Sequence, residues 1–229
     1  MKILITGGSS GLGKAITEQL SAGHEVFFTY YNTEDNIANT SSLYLDMTST
    51  ESIKKLSKWI ETEQPEVLIN NAITGLRQNH SHKLSGENHL ESFSSNVAPV
   101  IDITNAFIVQ ARKRKSGKII NVLTSYLIGK PPIGLSQYTA QKAYLLSLNK
   151  SWASENIKFN VTSNAVSPSI MRTELTSDTD ERIFENMIEG HPLKRLIEPK
   201  EVAECIEYMV NSSLFMNGQN IVMNHAENL

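Results

Sequence analysis

Short apolar runs alternate with longer half-apolar stretches along the whole chain. Lys2 to Thr6 is a β-rich run. Gly7 to Gly13 follows, and then Leu12, Ile16 and Leu20 recur on one helical face up to Ala22-Gly23. Glu25 to Tyr30 predicts a second strand, 31–41 a polar loop, and Leu43 to Leu45 a third short strand ending at Asp46. Ser49 to Glu61 reads as a helix with Ile53, Leu56 and Ile60 inward, and Pro65 leads into a buried strand from Val67 to Asn70. Residues 73–88 are polar and irregular, and Leu90 to about Arg114 reads as one long helix, with Pro99 marking a kink or a later start. The remaining pattern is a strand (Lys118 to Leu123), a helix from Tyr138 to about Asn156, and a strand from Lys158 to Val166. A polar excursion from Ser167 to Lys200, a helix from Glu201 to Val210 and a strand from Gln219 to Met223 complete it. Strands regularly separated by helices predict a parallel, doubly wound α/β sheet.

Bulk properties narrow the function. The 229 residues are 40% hydrophobic and 20% charged, and no linker divides them, so one domain over 1–229 is expected. A net charge of −3 gives no electrostatic case for nucleic acid or an anionic membrane. The basic cluster Arg112 to Lys115 reads as the solvated end of a helix. No apolar run reaches the ~20 residues a membrane span needs, and the N-terminus turns to glycine too early for a signal peptide. The single Cys205 excludes an internal disulfide and suits a reducing compartment, so a cytoplasmic protein is expected.

Two stretches carry chemistry. Thr6-Gly7-Gly8-Ser9-Ser10-Gly11-Leu12-Gly13 joins the first strand to the first helix, where glycines let backbone approach a pyrophosphate and the helix N-terminus offers N–H groups. Tyr138 and Lys142 stand four apart on one helix, so a phenol and an ammonium share a face. A cation beside a phenol lowers its pKa from about 10, which suits proton transfer. On spacing alone such a pair is common on exposed helices. The preceding strand ends in two hydroxyls, Thr124 and Ser125. His80 and His82 form an H-x-H without further ligands, so no metal is expected. Trp59 and Trp152 read as helix packing, and Tyr126 and Tyr144 as packing or substrate-wall residues.

The glycine pattern T-G-x-x-x-G-x-G, with Y-x-x-x-K about 130 residues later, resembles the short-chain dehydrogenase/reductase superfamily of the classical type. The resemblance runs from Ile3 to about Met223. Asn70-Asn71-Ala72 is similar to the family's N-N-A-G, Asn96 to its long-helix Asn, and Asn164 to Ser169 to its N-A-I-x-P-G. Thr173, Pro192-Leu193 with Arg195, Glu201-Val202-Ala203 and Asn217-Gly218 follow in the family's order. Ile73 and Ser169 replace family glycines, and Asn224-His225-Ala226 stands where Asp-Gly-Gly is common.

The resemblance implies a Rossmann-like, seven-stranded parallel sheet with helices on both faces. It also implies an enzyme that transfers hydride between a nicotinamide and a carbonyl or alcohol carbon. In that reading Tyr138 is the general acid or base, Lys142 lowers its pKa and holds the cofactor ribose, and Asn96 holds a water for proton supply. A strand-end hydroxyl orients the substrate oxygen. Counting forward from Asn121 selects Thr124, and counting back from Tyr138 selects Ser125; Ser125 is favoured, with Thr124 the alternate. The implied cofactor contacts are Gly7, Ser9, Ser10, Gly11, Leu12, Gly13, Tyr30, Tyr31, Asn32, Asp46, Met47, Asn71, Ala72 and Ile73, then Tyr138, Lys142, Pro168, Ile170 and Thr173.

The second strand ends in Tyr30-Tyr31 rather than the acid that bonds an NAD ribose, so NADP(H) is favoured and NAD(H) remains possible. The expected activity is a carbonyl reductase or alcohol dehydrogenase, with 3-ketoacyl thioester reductase or sugar dehydrogenase as alternatives, and a catalytically silent cofactor-binding regulator as another. Substrate choice is expected in rim segments about 73–95 and 170–199, which include Arg77, His82, Arg172 and His191. The partners expected are a small carbonyl or alcohol substrate and further copies of the chain, as a homodimer or homotetramer.

Overall fold

Ile3, Leu4 and Ile5 are fully buried, and around them the chain builds a seven-stranded parallel sheet in the order β3-β2-β1-β4-β5-β6-β7. The structure is a computed structural model that describes residues 1–76 and 78–226. Its strands are β1 (Lys2–Ile5), β2 (Glu25–Tyr30), β3 (Thr40–Tyr44), β4 (Val67–Asn70), β5 (Gly117–Val122), β6 (Val161–Pro168) and β7 (Asn220–Met223). The helices are α1 (Gly11–Ser21), α2 (Thr50–Glu63), α3 (Gly86–Asn96), α4 (Ala98–Arg114), α5 (Ser136–Asn156), α6 (Glu181–Gly190) and α7 (Pro199–Asn211).

Alternation along each strand sends side chains to opposite faces, and two cores result. Leu4, Leu68 and Ile119 join one face, covered by α2, α4 and α5 through Leu56, Ile60, Phe107 and Leu145. Ile3, Ile5, Val67, Ile69 and Ile120 join the other, covered by α1 and α7 through Ile16, Leu20 and Ile206. Trp59 packs on Phe27 with ring centroids 4.9 Å apart, and Trp152 is buried, as packing residues should be. The centre of the sheet also holds a chain of amides. Asn70 Nδ2 donates to Asn121 Oδ1 at 2.9 Å, and Asn121 Nδ2 donates to Asn149 Oδ1 at 3.0 Å.

Several boundaries differ from those expected. The long helix over Leu90 to Arg114 is two helices, α3 and α4, broken at Val97 (φ −111°, ψ −51°), and α3 starts at Gly86. Pro99 lies in the first turn of α4, where its missing N–H costs nothing. A Ser85–Asn88 capping box fixes the start of α3. The third strand is Thr40–Tyr44, so Asp46 lies two residues past its end. The sixth begins at Val161, because Ile157–Phe159 forms a 3-10 turn closed by Asn160 in the left-handed region. The polar excursion contains α6 and a 3-10 turn at Glu174–Thr176.

Candidate active site

The sheet order reverses between β1 and β4, and the carboxyl ends of these strands frame a crevice. A cleft of about 690 Å³ begins there and reaches Tyr138 and Lys142 on α5. The glycine loop forms one end. Gly7 has φ +67°, and a Cβ on it would stand 2.9 Å from Ala72 Cα. A Cβ on Gly13 would stand 1.8 Å from the Gly7 carbonyl oxygen, so only glycine lets α1 start this close to β1. Threonines and one amide hold the loop. Gly7 N–H donates to Thr29 Oγ1 at 2.9 Å, and Asn71 Nδ2 donates to Gly7 O at 2.8 Å. Thr17 Oγ1 donates to Gly13 O at 2.9 Å. Ser10 makes no side-chain capping bond to α1, which leaves the first N–H groups of this helix to an anion.

Every residue expected to touch the cofactor lines this cleft, from Gly7 through Tyr30, Tyr31, Asn32, Asp46 and Met47 to Pro168, Ile170 and Thr173. Asp46 is occupied by its own turn, accepting from Thr48 N–H at 2.8 Å and Thr48 Oγ1 at 2.7 Å. Neither Ile73 nor Ser169 takes a positive φ, so this backbone does not need the glycines the family places there. His225 (φ +47°) and Ala226 (φ +66°) do adopt the left-handed region where the family has Gly-Gly, and the His225 ring lies 3.6 Å from that of His191.

At the inner end of the cleft the two candidate hydroxyls part. Thr124 lies extended at the end of β5, lines the cleft, and its hydroxyl is hydrogen-bonded to that of Tyr138. Ser125 opens the 3-10 turn Ser125–Leu127 and is buried away from the cleft lining. The tight turn thus separates the two candidate hydroxyls and leaves Thr124 as the one on the cleft.

The electrostatics also differ from expectation. Lys142 is buried, and its Nζ donates to Val122 O at 2.8 Å. Burial lowers its pKa to about 8. Burial pushes the Tyr138 phenol up to about 12, and the hydrogen bond to Thr124 opposes only part of that. The lowering expected from Lys142 does not materialise: loss of water around the phenol sets the direction, opposed by Thr124 and not by the ammonium. A phenol at about 12 keeps its proton across the neutral range.

Asn96 lies outside the main cleft. It shares with Lys142 and Gln141 a small cavity of about 10 Å³, room for one water. Its Oδ1 accepts from Thr74 N–H at 2.8 Å and Thr74 Oγ1 at 2.9 Å. Sequence reasoning missed the partners that hold α5 in place. Gln137 Nε2 donates to Asn88 O at 2.8 Å, and Gln141 Nε2 donates to Ser92 Oγ at 2.6 Å. Their four-residue spacing, one position before Tyr138 and Lys142, was the available signal.

Of the rim residues, Arg172 pairs with Glu181 at 2.7 Å and stacks over Phe184, and Arg77 lies outside the described residues. His80 and His82 rings are 5.6 Å apart, and among the described residues no group of three or more His, Cys, Asp or Glu could hold a metal. No helix of the described residues is long and apolar enough to cross a membrane.

A family model described as enoyl-(acyl carrier protein) reductase matches residues 7–225. The acetoacetyl-CoA reductase of Rhizobium meliloti (strain 1021) is 30% identical, over 98% of this chain and 97% of its own. The chain belongs to the short-chain dehydrogenase/reductase family. The 3-oxoacyl-[acyl-carrier-protein] reductase of Vibrio harveyi is 28% identical over 96% of this chain and 94% of its own. A solved structure titled a short chain dehydrogenase/reductase family protein superposes with a TM-score of 0.88 at 25% identity, covering 100% of this chain and 97% of that one. Membership makes the chain an enzyme, an oxidoreductase working with a nicotinamide cofactor.

Proposed function

We propose that this chain reduces the 3-oxo group of a 3-oxoacyl thioester to the 3-hydroxy compound, with NADPH preferred over NADH. The observation that carries the reading is the convergence of Thr124, Tyr138 and Lys142 at the inner end of a cleft whose other end is the glycine loop. A protonated phenol is a donor, and a donor serves reduction. The relatives named above act on such thioesters.

The glycine cradle, the open N-terminus of α1 and the cleft volume fit a dinucleotide. Bound there, the cofactor supplies a hydride. Thr124 donates a hydrogen bond to the substrate's carbonyl oxygen and steadies its growing charge. Tyr138 gives that oxygen its proton as the carbon is reduced. Lys142 stands behind the phenol, and the one-water cavity it shares with Asn96 offers a route for reprotonation. For the cofactor's adenosine end, Tyr30, Tyr31, Asn32 and Thr33 line the cleft without a carboxylate, which favours a 2′-phosphate over rejection of it. Lys14 close by is held by Asp35 at 2.7 Å. Segments 73–95 and 170–199 form the substrate rim. The chain acts in the cytoplasm as a homodimer or homotetramer.

The test is nicotinamide absorbance with NADPH or NADH against acetoacetyl thioester, crotonyl thioester, simple ketones and keto-sugars. Oxidation of NADPH by the acetoacetyl thioester is expected. Turnover of the crotonyl thioester alone would instead assign enoyl reduction, the activity in the family model's description, and binding without any turnover would assign a silent regulator.

A further inference from the structure

Thr124 and Tyr138 suffice for one substrate oxygen, and the cleft holds a third hydroxyl that they leave unexplained. Tyr126 lines the cleft with Thr124, Leu135 and Tyr138, and it is half-buried. The turn at Ser125–Leu127 puts it there. Thr124 is extended ahead of the turn (φ −155°, ψ 145°), and its Oγ1 accepts from Tyr126 N–H at 3.4 Å. Residues 124 and 126 therefore reach the cleft while Ser125 is buried between them. The Tyr126 and Tyr138 phenols are close enough for the charge of one to oppose ionisation of the other. Two tyrosines and a threonine thus line one end of one cleft, beside apolar Leu135. A pocket with few polar groups spends each on orientation.

We propose that Tyr126 orients the substrate by donating a hydrogen bond from its phenol to a second acceptor oxygen in 1,3 relation to the reacting carbonyl. This rests on the substrate class proposed above, where that oxygen is the thioester carbonyl. Holding both oxygens stops rotation about the bonds between them. It thereby fixes which face of the 3-carbon meets the hydride, so Tyr126 governs both the preference for 3-oxo substrates and the handedness of the alcohol.

The experiment compares wild type with Tyr126→Phe on acetoacetyl thioester, 2,4-pentanedione and cyclohexanone, with product chirality measured for the first two. On the two 1,3-dicarbonyls the variant is expected to lose about tenfold in kcat/KM, mainly through KM, which matches one hydrogen bond. Its enantiomeric excess falls as well. On cyclohexanone, which has no second oxygen, kcat/KM at neutral pH changes less than about twofold. Tyr126→His, which keeps a donor, recovers part of the loss. Equal kcat/KM and chirality for variant and wild type on the dicarbonyls would overturn the proposal. So would an equal loss on all three substrates, which would mark a packing role or a part in the proton transfer at Tyr138. A wild-type chain inert to the thioester, with the Tyr126→Phe loss still confined to 2,4-pentanedione, would overturn the thioester reading and leave the role of Tyr126 standing.

Discussion

Thr124 and Ser125 differ by one methyl group and one step along the chain, and the step matters more. Only Thr124 meets the Tyr138 hydroxyl, so Thr124→Val is expected to lower kcat/KM by about 10²–10³, the usual loss for one such donor. Ser125→Ala should change it only a few-fold; steady-state rates on the same ketone compare the two. Lys142 supplies a second test. Its folded pKa of about 8 lies below the ordinary 10.5 because the ammonium is buried. The unfolded chain therefore binds more protons between those values, and wild-type stability rises with pH across that window. Lys142→Met removes both the buried charge and the rise. We expect it to be inactive yet more stable than wild type at pH 7 by roughly 1–3 kcal/mol, with the advantage shrinking by pH 10; urea midpoints at the two pH values measure this.

Among the elements, α3 is the least anchored of those near the site. None of its residues is buried. Its ties to α5 are the two glutamine bonds and the edge-on pair Phe93–Tyr144, with centroids 5.2 Å apart. Gln141→Leu should therefore loosen α3 by about 1 kcal/mol, an ordinary net value for a hydrogen bond, and show as faster amide exchange over residues 86–96. The same elements mark how far the sequence could be read. The β1–glycine–α1 unit was legible because a fully apolar run, a glycine turn and a 3.6-residue period occur in unbroken order. The lining of the cleft followed, since the strand ends and the loop after β4 converge on one crevice in any such sheet. The break at Val97 was not legible, because Pro99 is compatible with a kink or a new start, and only a nearby cap decides. The face shown by Ser125 was hidden too: a 3-10 turn resets the two-residue alternation that a strand would carry forward. The phenol's pKa could not be read at all, because spacing gives proximity to Lys142 while desolvation depends on everything packed around both.

For the molecule as a whole, the sheet separates two cores that share no side chain. Ile60 on α2 and Ile206 on α7 are both fully buried, on opposite faces. Trimming each to Val should cost about 0.5–1.5 kcal/mol. The double variant should show the sum within about 0.5 kcal/mol, since distant sites with no common partner are independent; chemical denaturation of the four proteins tests it. The crevice between β1 and β4 has a different relation to the chain. Its lining is drawn from most of the chain, from Gly7 to Thr179, and β1 must wait for β4, more than sixty residues later, to find its second neighbour. Every strand pairing in this order is parallel and non-local, which makes folding slow. The complete lining exists only in the assembled fold, so a dinucleotide finds all of its contacts there and nowhere earlier. Cofactor at a hundred times its dissociation constant would then add about 2.7 kcal/mol to the finished state alone. Nicotinamide supply thus doubles as a brake on unfolding, and a starved cell would find this enzyme not only idle but short-lived.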